Sequence, residues 1–169
     1  GTLNLCDCSL HGTGVITRTT YAEDQGGLVF SAGTFNMYGG TLTGATSTEK
    51  GGAVFVDGSN AEFNMYGGSI TDNHITGARG GAVGVGPYAT FNMYGGCIYN
   101  NSAESGGAVK NEGYMLMSGN AIITENIARR MAGGVDNSGQ MTMSGNAIIS
   151  NNLAGTNVNY LGYGGGVLV

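Results

Sequence analysis

The sequence predicts an all-β chain wound as a parallel β-helix, a solenoid of about six rungs with three short strands in each. Three observations carry this. Phe-Asn-Met-Tyr-Gly-Gly occurs at Phe35–Gly40, Phe63–Gly68 and Phe91–Gly96, at intervals of 28 residues, and Met117-Ser118-Gly119-Asn120 and Met143-Ser144-Gly145-Asn146 continue it in weaker form. Gly-Gly-Ala-Val recurs at Gly51, Gly80 and Gly106, then loosens to Gly133-Gly134-Val135 and Gly164-Gly165-Gly166-Val167. Between these marks, apolar and polar residues alternate in short runs that end on Gly or Asn, the signature of brief half-buried strands. The density of Gly, Asn and β-branched residues disfavours helices.

Residues 51–79 serve as the type repeat, with strands expected at Ala53–Val56, Glu62–Tyr66 and Ser69–Thr71. In the second strand the pleat sends Phe63 and Met65 to one side and Asn64 and Tyr66 to the other. Stacking the repeats in register gives one column of Phe35, Phe63, Phe91, Met115 and Met141, and a second of Met37, Met65, Met93, Met117 and Met143. Both are apolar in every repeat and are assigned to the interior. Leu42, Ile70, Ile98, Ile123 and Ile149 form a third inward column in the last strand of each repeat.

Each of those isoleucines leads to an asparagine. Asn73, Asn101, Asn126 and Asn152 are expected to lie above one another at a turn, each tolerating a left-handed backbone and each amide bonding its neighbour. The first repeat carries Ala45 instead, so the ladder is expected to be looser there. The connection from this Asn to the next Gly-Gly varies in length and holds Glu49, Lys50, Arg79, Glu104, Arg129 and Arg130. Variable insertions on one edge are where solenoid partners often bind, although a solvated loop edge explains these charges more simply.

Composition narrows the function classes. Glycine accounts for 34 of 169 residues and proline for one, Pro87, so glycine marks corners rather than a collagen repeat. Charged residues make up 10%, the net charge is −5, and only six residues are Lys or Arg. A nucleic-acid partner is not expected, because phosphates need a basic face. No run approaches the roughly 18 apolar residues of a membrane span, so no direct membrane insertion is expected. Low Lys with abundant Asn, Thr, Ser and Gly suggests an extracellular surface. Cys6 and Cys8 stand too close in sequence for good disulfide geometry, and with His11 they lack a fourth zinc ligand, so they and Cys97 read as free or small buried side chains. No metal and no cofactor is assigned. The chain reads as a single β-helix segment over residues 1–169, cut from a longer chain, with residues 1–25 as a degenerate first rung.

Gly-Gly-Ala-Val combined with Ile-x-x-Asn resembles the repeats of polymorphic outer-membrane proteins and related adhesin-like bacterial cell-surface proteins, whose units carry Gly-Gly-Ala-(Ile/Leu/Val) and Phe-x-x-Asn. The resemblance covers about residues 26–169, with Ile standing where the family has Phe in the second motif. It implies a right-handed parallel β-helix, secretion, and surface display or attachment. The expected function is therefore a non-catalytic structural or adhesive segment of a secreted bacterial surface protein, with a glycan or a host or cell-surface protein as partner. End-to-end self-association through uncapped rungs is also expected.

Two other readings compete. A pectin-lyase-like carbohydrate-active enzyme shares the fold, but its chemistry needs clustered carboxylates and a nearby Lys or Arg. Here Asp57, Glu62, Asp72, Glu104, Glu112, Glu125 and Asp136 fall at differing strand positions; stacking offers only Lys110 beside Asp136, or Glu112 near Asp57. No catalytic residue is assigned. The second rival is a glycan-binding module using the outward column Tyr38, Tyr66 and Tyr94, flanked by Asn36, Asn64 and Asn92. At a rung spacing of about 4.8 Å the rings would form a flat aromatic strip, or else a ladder that only stabilises the sheet. An ice-binding threonine array is not expected, since Thr41, Thr43, Ser69 and Thr71 give way to Cys97, Tyr99 and isoleucines.

Overall fold

The computed structural model describes residues 1–7, 14–17, 27–48, 51–77, 79–155 and 162–169. In chain order the first strands are β1 (Thr2–Leu5), β2 (Val15–Thr17), β3 (Val29–Ser31), β4 (Thr34–Met37), β5 (Thr41–Thr43) and β6 (Thr46–Ser47). The next turn holds β7 (Val54–Val56), β8 (Glu62–Met65), β9 (Ser69–Thr71) and β10 (His74–Ile75). It is followed by β11 (Val83–Val85), β12 (Thr90–Met93), β13 (Cys97–Tyr99) and β14 (Ser102–Ser105), then by β15 (Val109–Asn111), β16 (Tyr114–Met117), β17 (Ile122–Thr124) and β18 (Ile127–Met131). The last strands are β19 (Val135–Asn137), β20 (Gln140–Met143), β21 (Ile148–Ser150), β22 (Leu153–Ala154) and β23 (Val167–Leu168).

Every pairing between these strands is parallel and joins neighbouring turns, giving a β-solenoid of about five turns. The three expected faces are six-stranded sheets: a Phe/Met sheet (β1-β4-β8-β12-β16-β20), an Ile sheet (β2-β5-β9-β13-β17-β21) and a Val sheet (β3-β7-β11-β15-β19-β23). A fourth, five-stranded ladder (β6-β10-β14-β18-β22) lies in the connection that the sequence pattern leaves as a variable edge. Strands β1 and β2 pair with β4 and β5, so the opening residues extend two of the sheets.

The register follows the sequence columns. Phe35, Phe63, Phe91, Met115 and Met141 pair in turn, as do Met37, Met65, Met93, Met117 and Met143. The three Phe rings stack at 4.8 Å with planes within 11° of parallel. Leu42, Ile70, Ile98 and Ile123 are fully buried, and Val54, Val83, Val109 and Val135 of the Val sheet complete the core. Each such side chain contributes about 1.5–3 kcal/mol of burial. One member of the Met column departs from the interior assignment: Met143 is exposed, because β20 is the last strand of its sheet and has a neighbour on one side only.

Two corners explain the glycine pattern. Gly40, Gly68 and Gly96 all adopt a left-handed backbone, and a Cβ on Gly67 would stand 2.8 Å from the carbonyl oxygen of Tyr38 in the rung below. Both glycines of the pair are therefore needed, one for its φ and one for the close approach of stacked backbones. At the Val corner the left-handed position falls on Gly51, Gly80, Gly106, Ala132 and Gly164, so the fourth repeat aligns as Ala132-Gly133-Gly134-Val135 rather than from Gly133.

The turn from the Val sheet to the Phe/Met sheet comes in two lengths. Where Ser31, Asn111 or Asn137 ends the Val strand, two residues suffice, and that side chain bonds the turn: Ser31 Oγ to Gly33 O, Asn111 Oδ1 from Gly113 N, and Asn137 Nδ2 to Gly139 O. Where Val56 or Val85 ends it, the turn lengthens to residues 57–61 or 86–89 and closes on its own backbone, through Ala61 N to Gly58 O and Ala89 N to Gly86 O. The long turns belong to adjacent rungs and form a ledge beside the outer face of the Phe/Met sheet.

Candidate binding face

The outer face of the Phe/Met sheet carries three columns. The asparagine column runs one rung further than the repeats suggest, because Asn4 pairs with Asn36. Asn36 Nδ2 donates to Asn4 Oδ1 at 2.8 Å, Asn64 to Asn36 at 3.0 Å, and Asn92 to Asn64 at 2.9 Å and to Glu62 Oε1 at 3.1 Å. The amides of Asn36, Asn64 and Asn92 are thus bonded to one another.

Tyr38, Tyr66 and Tyr94 stand beside them, 52%, 45% and 37% exposed. Their ring centroids are 4.9 and 5.1 Å apart with planes 6° and 17° from parallel. Coplanar rings at that separation would interpenetrate, so the rings overlap face to face and turn edges and hydroxyls outward. This corrects the flat strip expected from spacing alone: the inner faces of the stack are closed, and open ring faces remain only at its two ends. Loss of water around Tyr66, followed by the charges of Tyr38, Tyr94 and Glu62, holds its phenol above the ordinary tyrosine value.

The interior ladder forms as expected in its partners but not in its backbone. Asn73, Asn101 and Asn126 are fully buried. Asn73 Nδ2 donates to Asn101 Oδ1 at 2.9 Å, Asn101 to Asn126 at 3.0 Å, and Asn126 to Asn152 at 2.9 Å; each Oδ1 also accepts the backbone N–H of the residue below. The left-handed backbone lies one residue earlier, at Asp72, Asn100, Glu125 and Asn151. The ladder Asn caps that kink by donating to the carbonyl two residues back, as Asn101 does to Tyr99 at 2.8 Å. At Ala45 the amide–amide bond is missing, yet its N–H still reaches Asn73 Oδ1 at 2.9 Å.

Several acids have local partners. Lys110 and Asp136 are adjacent in register, with Nζ 2.9 Å from Oδ1 and 2.6 Å from Ser138 Oγ, and the lysine is only 1% exposed. Glu112 and Asp57 stand two rungs apart with Gly86 between them, and the Asp57 carboxylate fills the space a Gly86 side chain would take. Glu104 sits 3.7 Å from Arg129 and 3.9 Å from Arg130 on the surface, a contact worth little in water. Cys6 is a free, exposed thiol; Cys97 is a free, half-buried one whose pKa is raised by burial and then by Glu125. Cys8, His11, Glu49 and Lys50 lie outside the described residues.

Sequence reasoning missed two tyrosines. Tyr88, on the second long turn, is 72% exposed, and Tyr114, which follows Thr90 in the first outer column, is 49% exposed. A depression of about 270 Å³ lies among Ser59, Asn60, Ala61, Glu62, Tyr88 and Thr90. A second, of about 220 Å³, lies along Thr90, Asn92, Tyr114, Leu116, Gln140 and Thr142. The available signal was turn length: Val in place of Ser or Asn before the turn at residues 57–61 and 86–89.

Comparison with protein-family models, curated proteins and solved structures found no match for this chain.

Proposed function

We propose that the chain is a non-catalytic structural and adhesive segment of a secreted bacterial surface protein, presenting its outer faces to a glycan or to another protein. The observation that carries this reading is where its repeated polar groups are used. The inner asparagines and the outer asparagines each bond the next rung, so the elements that recur most faithfully serve rung-to-rung cohesion. The adhesin-like resemblance of the Gly-Gly-Ala-Val and Ile-x-x-Asn repeats supplies the surface setting. The row of phenol hydroxyls at Tyr38, Tyr66 and Tyr94 is the most regular face for a protein partner. For the carbohydrate-active alternative, Lys110 and Asp136 are the closest acid–base pair, and their burial would keep a polymer from both.

Two measurements test this. Incubated with a panel of pectic and other polysaccharides, the chain is expected to release neither unsaturated nor new reducing ends; release of either overturns the non-catalytic half. Beads coated with the chain are expected to attach to cell monolayers more than albumin-coated beads do, and attachment no better than albumin overturns the adhesive half.

A further inference from the structure

We propose that the ledge beside the Phe/Met sheet is a binding site for a neutral oligosaccharide, seated between Tyr88 and Tyr114. It is a different surface from the stacked tyrosine column, and it rests on the display reading only in supposing that the chain meets glycans. The two long turns, residues 57–61 and 86–89, stand beside β8 and β12, whereas two-residue turns precede β16 and β20. The outer face therefore passes from long-turn rungs carrying Asn60 and Tyr88 to short-turn rungs carrying Tyr114 and Gln140. The two depressions share Thr90, so they adjoin across that residue.

The lining has the chemistry that a sugar needs. Among the described residues neither Tyr88 nor Tyr114 stacks on another ring, so their faces are open to the apolar C–H surface of a hexose, unlike the closed faces inside the column. Thr90 stands between them, Asn60 and Glu62 line the rung before and Gln140 and Thr142 the rung after; the Glu62 carboxylate can accept from sugar hydroxyls, and the hydroxyls and amides can accept or donate. Glu62 is held in place by Asn92, which donates to its Oε1. The charge selects the ligand class. No Lys or Arg lines either depression, Glu62 is the one charged lining residue, and the chain carries a net −5, so uronic, sialylated or sulfated chains are repelled and neutral ones are not.

The test is a titration of the isotope-labelled full chain, followed by backbone amide shifts, with cello-, manno- and chito-oligosaccharides as neutral probes and oligogalacturonate as the acidic one. At least one neutral probe is expected to shift Asn60, Glu62, Tyr88, Tyr114 and Gln140. Tyr88→Ala and Tyr114→Ala are each expected to weaken that binding by about tenfold or more, which is about 1.4 kcal/mol, and Tyr163→Ala is expected to leave it unchanged. Both ring substitutions fall on exposed residues, and an unshifted melting temperature verifies that the variants fold. The proposal is overturned if no neutral probe shifts these residues, if oligogalacturonate binds more tightly, or if Tyr38→Ala abolishes binding while Tyr88→Ala does not. Polysaccharide cleavage would sink the non-catalytic reading without touching this one, and a blank titration would do the reverse.

Discussion

At Asn101 one side chain serves five partners: its two amide N–H groups are shared among Ile70 O, Tyr99 O and Asn126 Oδ1, and its Oδ1 accepts from the backbone and side-chain N–H groups of Asn73. Alanine there would keep its own N–H bonded to Asn126, as Ala45 keeps its bond to Asn73, but would leave buried groups of two rungs without partners. Asn101→Ala is expected to cost about 3 kcal/mol, and Asn152→Ala, on the last rung, about 1 kcal/mol, both read from urea denaturation. Tyr66 gives a pH prediction of definite sign. Its folded pKa is raised, so the fold favours the neutral phenol; its contribution is intact below the ordinary tyrosine value and is lost as pH rises through the raised one. Ultraviolet titration should show a phenol ionising above about pH 10, with the melting temperature falling over the same range, and Tyr66→Phe should reduce that fall. A Tyr66→Phe variant with an unchanged alkaline profile would refute the assignment.

The strands themselves were legible because their period is short and their inward residues are uniform: Phe63, Met65 and Ile70 define two faces from one repeat. The short ladder of β6, β10, β14, β18 and β22 was not, since strands such as His74–Ile75 and Leu153–Ala154 are two residues long and show no alternation. From β10 on, each begins with an N–H bonded to the ladder carbonyl of the preceding rung, as His74 to Ala45 and Ser102 to Asn73, a tertiary contact that no local pattern records. The candidate face was legible by half. The columns of Asn36 and Tyr38 could be read from register alone, whereas ring orientation depends on side-chain packing at a fixed 4.9 Å, which favours overlap over a flat strip. The ledge was hidden for another reason: turn length depends on whether Ser31, Asn111 or Asn137 can bond a two-residue turn, and Val56 and Val85 cannot.

At the scale of the molecule, every strand pairing among the described residues joins neighbouring rungs, so stability is a sum of rung and interface contributions and should depend on height in the stack. Met93, fully buried between two rungs, and Met143, 43% exposed on the last strand of its sheet, are the same residue in the same column. Met93→Ala is expected to cost about 3 kcal/mol and Met143→Ala less than about 1 kcal/mol in denaturant midpoints; equal costs would mean that the stack melts as a block insensitive to position. The two asparagine ladders add an electrical asymmetry. Inner amides donate toward the later rung, from Asn73 to Asn101 to Asn126, whereas outer amides donate toward the earlier one, from Asn92 to Asn64 to Asn36. Their dipoles run antiparallel along the axis, overlapping only where Asn64 and Asn92 share rungs with Asn73 and Asn101. Each ladder is nonetheless one-way, with acceptors at one terminus and donors at the other. Further rungs, from the same chain or another copy, can extend it in a single sense only, and a join of two like ends would set acceptor against acceptor in one ladder and donor against donor in the other.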